Sequence, residues 1–191
     1  MKPETTLDIK KVGVVGCGLM GGGIAEVAAK SGFDVVVREV NEELLTKGEA
    51  RIRKSMDRAV EKEKLTQEDR DAAMARLSFT TEVPDLAGCD IVIEAIVEEL
   101  EAKNALFGEL DALCGESTIF ASNTSSLTIT DMAAATSRAD RFVGMHFFNP
   151  VPVMKLVEVV RTIATSEQTF DRAFAFAKAL GKAPVAAKDN S

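Results

Sequence analysis

The sequence predicts an α/β fold, in which a mostly parallel sheet carries helices on both of its faces. Three observations support this prediction. Short β-branched apolar runs recur along the 191-residue chain, helix-patterned segments separate several of them, and a glycine-rich turn joins the first run to the first helix. The predicted strands cover residues 12–15, 33–37, 77–80, 91–94, 118–121, 142–146 and 156–160.

The first two predicted strands belong to one βαβ unit. The run at 12–15 ends in glycines, and apolar residues follow at helical spacing from Ile24 onward. Gly32 closes this helix, because glycine is common just after a helix end. The run at 33–37 then supplies a second strand, so the connection predicts two parallel strands.

Residues 41 to about 77 predict a helical hairpin. The segment is strongly charged and has one apolar stripe, and Thr66 with Asp69 resembles a capping box that opens a second helix. We interpret the charges as a solvated surface; a rim for a bulky polar ligand is the alternative. The stripe consists of Leu44, Leu45, Ile52, Met56, Ala59 and Val60.

The remaining segments continue the alternation of strands and helices. Helical patterns cover Leu100–Leu113 and residues 166–180. Pro150 and Pro152 cannot lie in a central strand, so residues 149–153 are predicted to form a loop that directly follows a strand.

Composition excludes several functions. A net charge of -7 argues against a nucleic-acid partner, because such binding relies on clustered Lys and Arg. The three cysteines are widely spaced and suggest neither a disulfide framework nor a metal site, which fits a cytoplasmic location. No apolar stretch reaches about 18 residues, so we expect neither a membrane span nor export.

A dinucleotide motif follows the first predicted strand. The segment reads Gly16-Cys17-Gly18-Leu19-Met20-Gly21 and satisfies G-x-G-x-x-G between a strand and a helix. The first glycine permits a tight turn, the second lets the backbone approach a pyrophosphate, and the third lets the helix pack on the strand. The helix N-terminus offers free N–H groups to the phosphates. A Rossmann-type fold is therefore predicted, with Gly16, Gly18, Leu19, Met20 and Gly21 binding the cofactor.

Glu39 is the predicted ribose contact. It closely follows the second predicted strand, where this fold places an acid that accepts hydrogen bonds from the ribose hydroxyls. A carboxylate there favours NAD over NADP, because it would repel a 2′-phosphate. The neighbouring Arg38 either points into solvent or softens that discrimination. An ordinary surface charge at a strand end is the alternative interpretation of Glu39.

His146 and Glu158 are the candidate acid–base pair. His146 is the only histidine of the chain and ends an apolar run, and a lone histidine there is often structural. Sheets of this type, however, bind ligands beyond the carboxyl ends of their strands. Glu158 lies in another apolar run and needs a partner. An imidazole beside a carboxylate can remove a hydroxyl proton, whereas pairing of Glu158 with Lys155 or a backbone donor is the structural alternative.

Four segments together resemble the 3-hydroxyacyl-CoA dehydrogenase family, including the 3-hydroxybutyryl-CoA dehydrogenases. They are the glycine motif, Ile93-Glu94-Ala95-Ile96-Val97-Glu98, Ala121-Ser122-Asn123-Thr124-Ser125-Ser126, and residues 144–160, which read GMHFFNPVPVMKLVEVV. The similarity covers essentially the whole chain, and the HFFNP and KLVEV segments are far more specific than the glycine motif. It implies NAD as cofactor and a 3-hydroxyacyl-CoA or 3-oxoacyl-CoA as substrate.

The resemblance also implies roles for individual residues in the reaction. His146 would be the general base and Glu158 would orient it. Ser125 would hydrogen-bond the reacting oxygen of the substrate and lie near the nicotinamide. A local use of Ser125 as a helix cap ahead of Leu127 is compatible with that role.

Further residues match cofactor contacts of the family. Glu98, Lys103 and Asn149 match such positions, with Glu98 and Asn149 near the nicotinamide. The predicted hairpin matches an insertion that implies a place for the CoA moiety. Glu39 departs from the family, in which many members have aspartate, and this departure changes the reach of the carboxylate by one methylene.

The second departure concerns the end of the sequence at Ser191. In the family a helical domain follows, which closes over the substrate and forms a dimer. We therefore expect residues 1–191 to be an NAD-binding domain with weak or absent turnover, and a homodimer only in the longer form. A non-catalytic NAD-binding module and a dehydrogenase of a different 3-hydroxy acid are the alternatives.

Overall fold

A computed structural model describes residues 7–189, so residues 1–6 and 190–191 of the predicted domain lie outside the described part. Its strands form one sheet, ordered β3-β2-β1-β4-β5-β6-β7-β8, in which all neighbours are parallel except β6 and β7. The strands are β1 (Lys11–Val15), β2 (Asp34–Arg38), β3 (Leu77–Thr80), β4 (Ile91–Glu94), β5 (Ile119–Ser122), β6 (Phe142–Phe147), β7 (Leu156–Arg161) and β8 (Ala183–Lys188).

Helices cover both faces of this sheet, which confirms the predicted fold class. One core lies under α1, α2 and α6 and includes Ile24, Ile52 and Phe176. The other core lies under α4 and α5 and includes Phe107 and Met132. Because both faces are buried, the central strands are apolar without alternation. The helices are α1 (Leu19–Lys30), α2 (Glu42–Glu61), α3 (Gln67–Arg76), α4 (Leu100–Leu113), α5 (Ile129–Ala134) and α6 (Glu167–Ala179).

The strand order reverses its direction at β1. From β1 the chain adds β2 and β3 on one side, and β4, β5 and β6 on the other. The carboxyl ends of these parallel strands share one edge of the sheet, and ligands of such folds bind in the crevice at the point of reversal. We therefore expect the ligand site among the loops that follow β1, β4, β5 and β6.

The predicted hairpin is formed by α2 and α3. The side chain of Asn41 caps α2 by accepting from the amide of Leu44, and Thr66 Oγ1 caps α3 by accepting from the amide of Asp69 at 3.0 Å. Within the predicted stripe, Ile52 and Met56 are buried in the first core. The prediction was wrong for Leu44, whose side chain is exposed at the start of α2.

Two elements were not predicted, and one strand has a direction that the sequence left open. β8 was not predicted, because Pro184 and three alanines give it a weak strand signal and it forms an exposed edge. α5 was not predicted, because six residues are too few to show a helical period. β7 is antiparallel to β6, since the loop 148–155 is too short for the crossover that parallel strands require.

Within residues 7–189, no helix combines the length and apolarity that a membrane crossing requires. In the same part of the chain no three His, Cys, Asp or Glu side chains gather as metal ligands would. The three cysteines are buried free thiols.

Candidate active site

The glycine-rich loop joins β1 to α1 by a close approach of backbone segments. Gly16 has φ +96°, and a methyl group on its Cα would lie 2.5 Å from the carbonyl oxygen of Ala95. A methyl group on Gly21 would lie 1.8 Å from the carbonyl oxygen of Gly16. Side chains are therefore excluded at both positions, which is the packing that the motif predicts.

Gly18 has a different environment, because it borders open space. It is the N-cap of α1, and a methyl group there would meet no atom of the protein within 4 Å. The helix begins directly behind it, with Leu19 exposed and Met20 packed against the first core. The free N–H groups of the first helical turn thus face a space that an anionic group can enter.

Glu39 lies against the glycine-rich loop. Its Oε2 accepts from the amide of Cys17 at 2.8 Å, and its Oε1 accepts from the amide of Val40 at 2.8 Å. Each carboxylate oxygen has a further lone pair for a hydroxyl donor. The side chain of the adjacent Arg38 donates to the carbonyl of Thr81 at 3.1 Å.

Helix α2 of the hairpin contacts the same loop. A methyl group on Gly48 would lie 2.2 Å from Cys17 Sγ, and Arg51 donates to the carbonyl of Cys17 at 3.2 Å. Burial, and next the Glu39 carboxylate, raise the pKa of the Cys17 thiol to about 11. This thiol therefore serves packing and is not a nucleophile.

A buried ion pair lies at the carboxyl end of β4. Lys103 Nζ donates to both carboxylate oxygens of Glu94, at 2.8 and 2.7 Å, and both side chains are buried. Glu94 also accepts from the hydroxyl of Ser122 and, at 2.9 Å, from the amide of Ile96. The charge of Glu94 is thus fully compensated in the interior. Glu94 belongs to one of the four family-like segments, but no role was predicted for it.

Glu98 extends this network to the surface. Its Oε1 lies 3.1 Å from Lys103 Nζ, and its Oε2 accepts from the hydroxyls of Thr124 at 2.6 Å and Ser126 at 2.9 Å. Burial alone would raise the pKa of Glu98, but these hydrogen bonds outweigh it and hold the pKa below its usual value. Glu98 therefore orders the loop after β5, in which Ser125 lies exposed between the two hydroxyl donors.

His146 and Glu158 face each other across β6 and β7. The antiparallel register pairs the two residues directly, and Nδ1 of His146 lies 3.7 Å from Oε1 of Glu158. This is an ion-pair distance, slightly longer than a hydrogen bond. Both side chains remain partly open to solvent, and the ring of Phe148 lies 4.4 Å from the imidazole. Of the two arrangements considered from sequence, the structure contains the histidine–carboxylate pair.

Asn123 connects the strands around this pair. Its amide donates to the carbonyl of Glu94 at 2.9 Å, and its Oδ1 accepts from the amide of Phe147 at 2.9 Å. Asn123 also belongs to one of the four family-like segments, and no role was predicted for it. Asn149 lies exposed in the loop that follows β6. All the predicted site residues therefore lie at one edge of the sheet, and direct contacts join His146 to Glu158 and Glu98 to Lys103.

Comparison with known proteins identifies the family. The model for the "3-hydroxyacyl-CoA dehydrogenase, NAD binding domain" matches residues 11–190. The chain belongs to this family. The matched range includes the glycine-rich loop and both members of the histidine–carboxylate pair.

Individual relatives give the same result. The chain is 49% identical over 179 residues to a probable 3-hydroxybutyryl-CoA dehydrogenase of Deinococcus radiodurans, covering 94% of this chain and 64% of the relative. It is 48% identical to human mitochondrial hydroxyacyl-coenzyme A dehydrogenase, covering 95% of this chain and 60% of the relative. The crystal structure of (S)-3-hydroxybutyryl-CoA dehydrogenase PaaH1 from Ralstonia eutropha superposes with a TM-score of 0.94, at 48% identity, covering 96% of this chain and 65% of that one. The chain thus spans less than two thirds of the length of these relatives.

Proposed function

We propose that this chain is the cofactor-binding part of an NAD-dependent oxidoreductase that interconverts 3-hydroxyacyl-CoA and 3-oxoacyl-CoA. The observation that carries the proposal is the facing pair of His146 and Glu158, 3.7 Å apart, at the sheet edge that also holds the glycine-rich loop. Two relatives that are 49% and 48% identical to this chain over the matched region have names of this activity. Fatty-acid or butanoate metabolism is the corresponding setting.

The loop after β1 fits the cofactor. Gly18 leaves room for a pyrophosphate at the start of α1, and Glu39 retains lone pairs for ribose hydroxyls. The carboxylate of Glu39 favours NAD over NADP, because it would repel a 2′-phosphate. Leu19 and Met20 lie between Gly18 and Gly21, in the first turn of α1, and would contact the cofactor there.

The nicotinamide end would be held by the network at the ends of β4, β5 and β6. Lys103 and Glu98 would contact the cofactor from an arrangement that Glu94 and the loop hydroxyls already fix. Asn149 and Ser125 are exposed at the same edge and would complete the contacts. Because these groups are fixed before ligand binding, little ordering would be required on association.

The chemistry follows from the acid–base pair. When bound, NAD supplies the ring that accepts or returns a hydride. In the direction of oxidation, His146 accepts the proton of the 3-hydroxyl group. Glu158 holds the orientation of the imidazole and stabilises the imidazolium that forms. Ser125 would hydrogen-bond the reacting oxygen, and the hairpin would lie beside the CoA moiety.

The whole protein is proposed to be a homodimer in the cytoplasm. The buried free thiols are consistent with a reducing compartment. High turnover would need the part of the relatives that has no counterpart in this chain, because closure over the substrate excludes water and positions the reactants. We therefore expect the isolated chain to bind cofactor and to turn over slowly.

The test mixes the chain with NADH and acetoacetyl-CoA and follows the absorbance of NADH. We expect slow oxidation, and we expect His146→Gln to bind NADH without oxidising it. A rate near that of the full-length relatives would contradict the expected dependence on the missing part. Binding of NADH without any oxidation would favour the alternative, a non-catalytic NAD-binding module.

A further inference from the structure

The loop between β6 and β7 joins the strands that carry His146 and Glu158. We propose that Lys182, a residue distant in sequence from both, is a positioning residue that clamps this loop against helix α1. The inference rests on the proposed function, because it concerns the geometry of that same site. The inference depends on contacts that the loop makes with Lys182 and with helix α1.

The first contacts come from the side of β8. Because β8 is parallel to β7 and Leu156 pairs with Ala183, the residue before β8 lies beside the loop. Lys182 Nζ donates to the carbonyl of Val151 at 2.5 Å and to that of Met154 at 2.8 Å. The amide of Ala183 donates to the carbonyl of Lys155 at 2.8 Å. One ammonium group therefore binds two carbonyls of the same turn.

The second contact comes from α1. Val151 is buried, and a methyl group on Gly23 would lie 2.8 Å from its Cβ. Only a glycine at this position of α1 lets the loop pack so closely. The loop thus contacts both Gly23, on the helix that begins at the glycine-rich motif, and Lys182, directly before β8.

The charged groups around Lys182 act in both directions on the pKa of its ammonium group. Glu26 follows Gly23 by three residues on α1, is buried, and has an Oε2 without a hydrogen bond, although Lys30 Nζ lies 3.1 Å away. Burial lowers the pKa of Lys182, Lys155 and Lys30 lower it further, and Glu26 opposes them. The acid on α1 therefore favours the charged form of the ammonium that binds the loop.

Asn149 is the residue that this clamp would affect most directly. It lies between His146 and the clamped carbonyls, and its proposed partner is the nicotinamide. Without Lys182, the carbonyls of Val151 and Met154 lose their common donor, and the turn can move away from α1. We therefore expect replacement of Lys182 to weaken cofactor binding. The global stability should change little, because Val151 stays buried against Gly23.

The experiment compares Lys182→Met with Lys178→Met as the matched control. Lys178 is an exposed lysine four residues earlier, on α6, whose ammonium lies over the ring of Phe174. The chain has no Trp or Tyr, so the fluorescence of bound NADH can be followed without a protein background. We expect Lys182→Met to weaken NADH binding about tenfold. Lys178→Met should leave it unchanged, and Lys182→Arg should recover most of the affinity.

Hydrogen exchange provides the second measurement. The amides of Val153 and Met154 donate to the carbonyl of Pro150 at 3.0 and 2.9 Å, so their exchange reports the turn itself. We expect Lys182→Met to accelerate exchange at these amides while the thermal unfolding midpoint changes little. Wild-type affinity and wild-type exchange in Lys182→Met would overturn the inference. Absence of NADH binding to the wild-type chain would instead contradict the proposed function.

Discussion

At the scale of single residues, the site depends on how its charges are compensated. His146 and Glu158 stand 3.7 Å apart and partly exposed, so their distance can shorten when a ligand excludes water. Glu94 and Lys103 are instead buried and bound at 2.7 and 2.8 Å. We propose that the first pair transfers a proton and that the second fixes the loops around it.

Replacement of Glu158 by Gln tests the role of the first pair. The amide cannot stabilise an imidazolium, so the rate at which acetoacetyl-CoA oxidises bound NADH should fall about 10²- to 10⁴-fold. The affinity for NADH should not change, because Glu158 lies on β7 and away from the glycine-rich loop. Equal oxidation rates for wild type and Glu158→Gln would contradict the assignment.

Replacement of Lys103 by Met tests the second pair. It leaves the Glu94 carboxylate buried without its counter-charge, so the free energy of unfolding in urea should fall by about 3–5 kcal/mol. Lys47→Met is the control, since the Lys47–Glu43 pair on α2 is exposed and should contribute about 1 kcal/mol or less. Similar losses of unfolding free energy in the two variants would contradict a larger contribution from the buried pair.

At the scale of elements, the hairpin contacts the glycine-rich loop as well as the core. Helix α2 approaches the glycine-rich loop at Gly48, where any larger residue would overlap Cys17. A ligand bound along the hairpin would therefore act on the cofactor loop through this contact. The same closeness explains why the sequence has a glycine in the middle of a long helix, in spite of its low helix propensity.

Replacement of Gly48 by Ala tests this contact. The methyl group would displace Cys17 or α2, so the free energy of unfolding should fall by about 1–3 kcal/mol, and NADH binding should weaken with it. Gly108→Ala in α4 is the control, because a methyl group there meets nothing within 4 Å. That variant should gain about 0.5–1 kcal/mol, because Ala is the better helix former. Stabilisation of both variants would contradict the tight contact.

Sequence reasoning predicted the elements that have a strong period and missed those that lack one. The strands at 77–80 and 91–94 and the helix Leu100–Leu113 have the predicted bounds, because apolar runs and helical spacing were unambiguous there. β8 is an alanine-rich edge with little burial, so its sequence carries almost no strand signal. Its existence depends on pairing with β7, which no local pattern shows.

The site was predicted unevenly for a similar reason. His146 and Glu158 were found because an isolated acid in an apolar run needs a partner. The same argument applies to Glu94, which follows three apolar residues of β4: it predicts a buried partner, which the structure identifies as Lys103. Asn123 and Lys182 could not be found in this way, because their hydrogen bonds go to backbone atoms that are distant in sequence.

At the scale of the whole molecule, the account requires a dinucleotide at the reversal of strand order. Gly18→Asp tests this most directly. Asp is a favourable N-cap, and a Cβ atom at this position meets no protein atom within 4 Å, so we expect the fold to keep its stability. Its carboxylate would occupy and repel the pyrophosphate position. Gly115→Asp adds the same charge at an exposed site outside the motif.

The decisive measurement is the titration of NADH against the wild-type chain, Gly18→Asp and Gly115→Asp. We expect saturable binding to the wild type and to Gly115→Asp, and no saturable binding to a folded Gly18→Asp. Undiminished NADH binding by Gly18→Asp would show that the glycine-rich loop does not hold the cofactor, and would contradict the account.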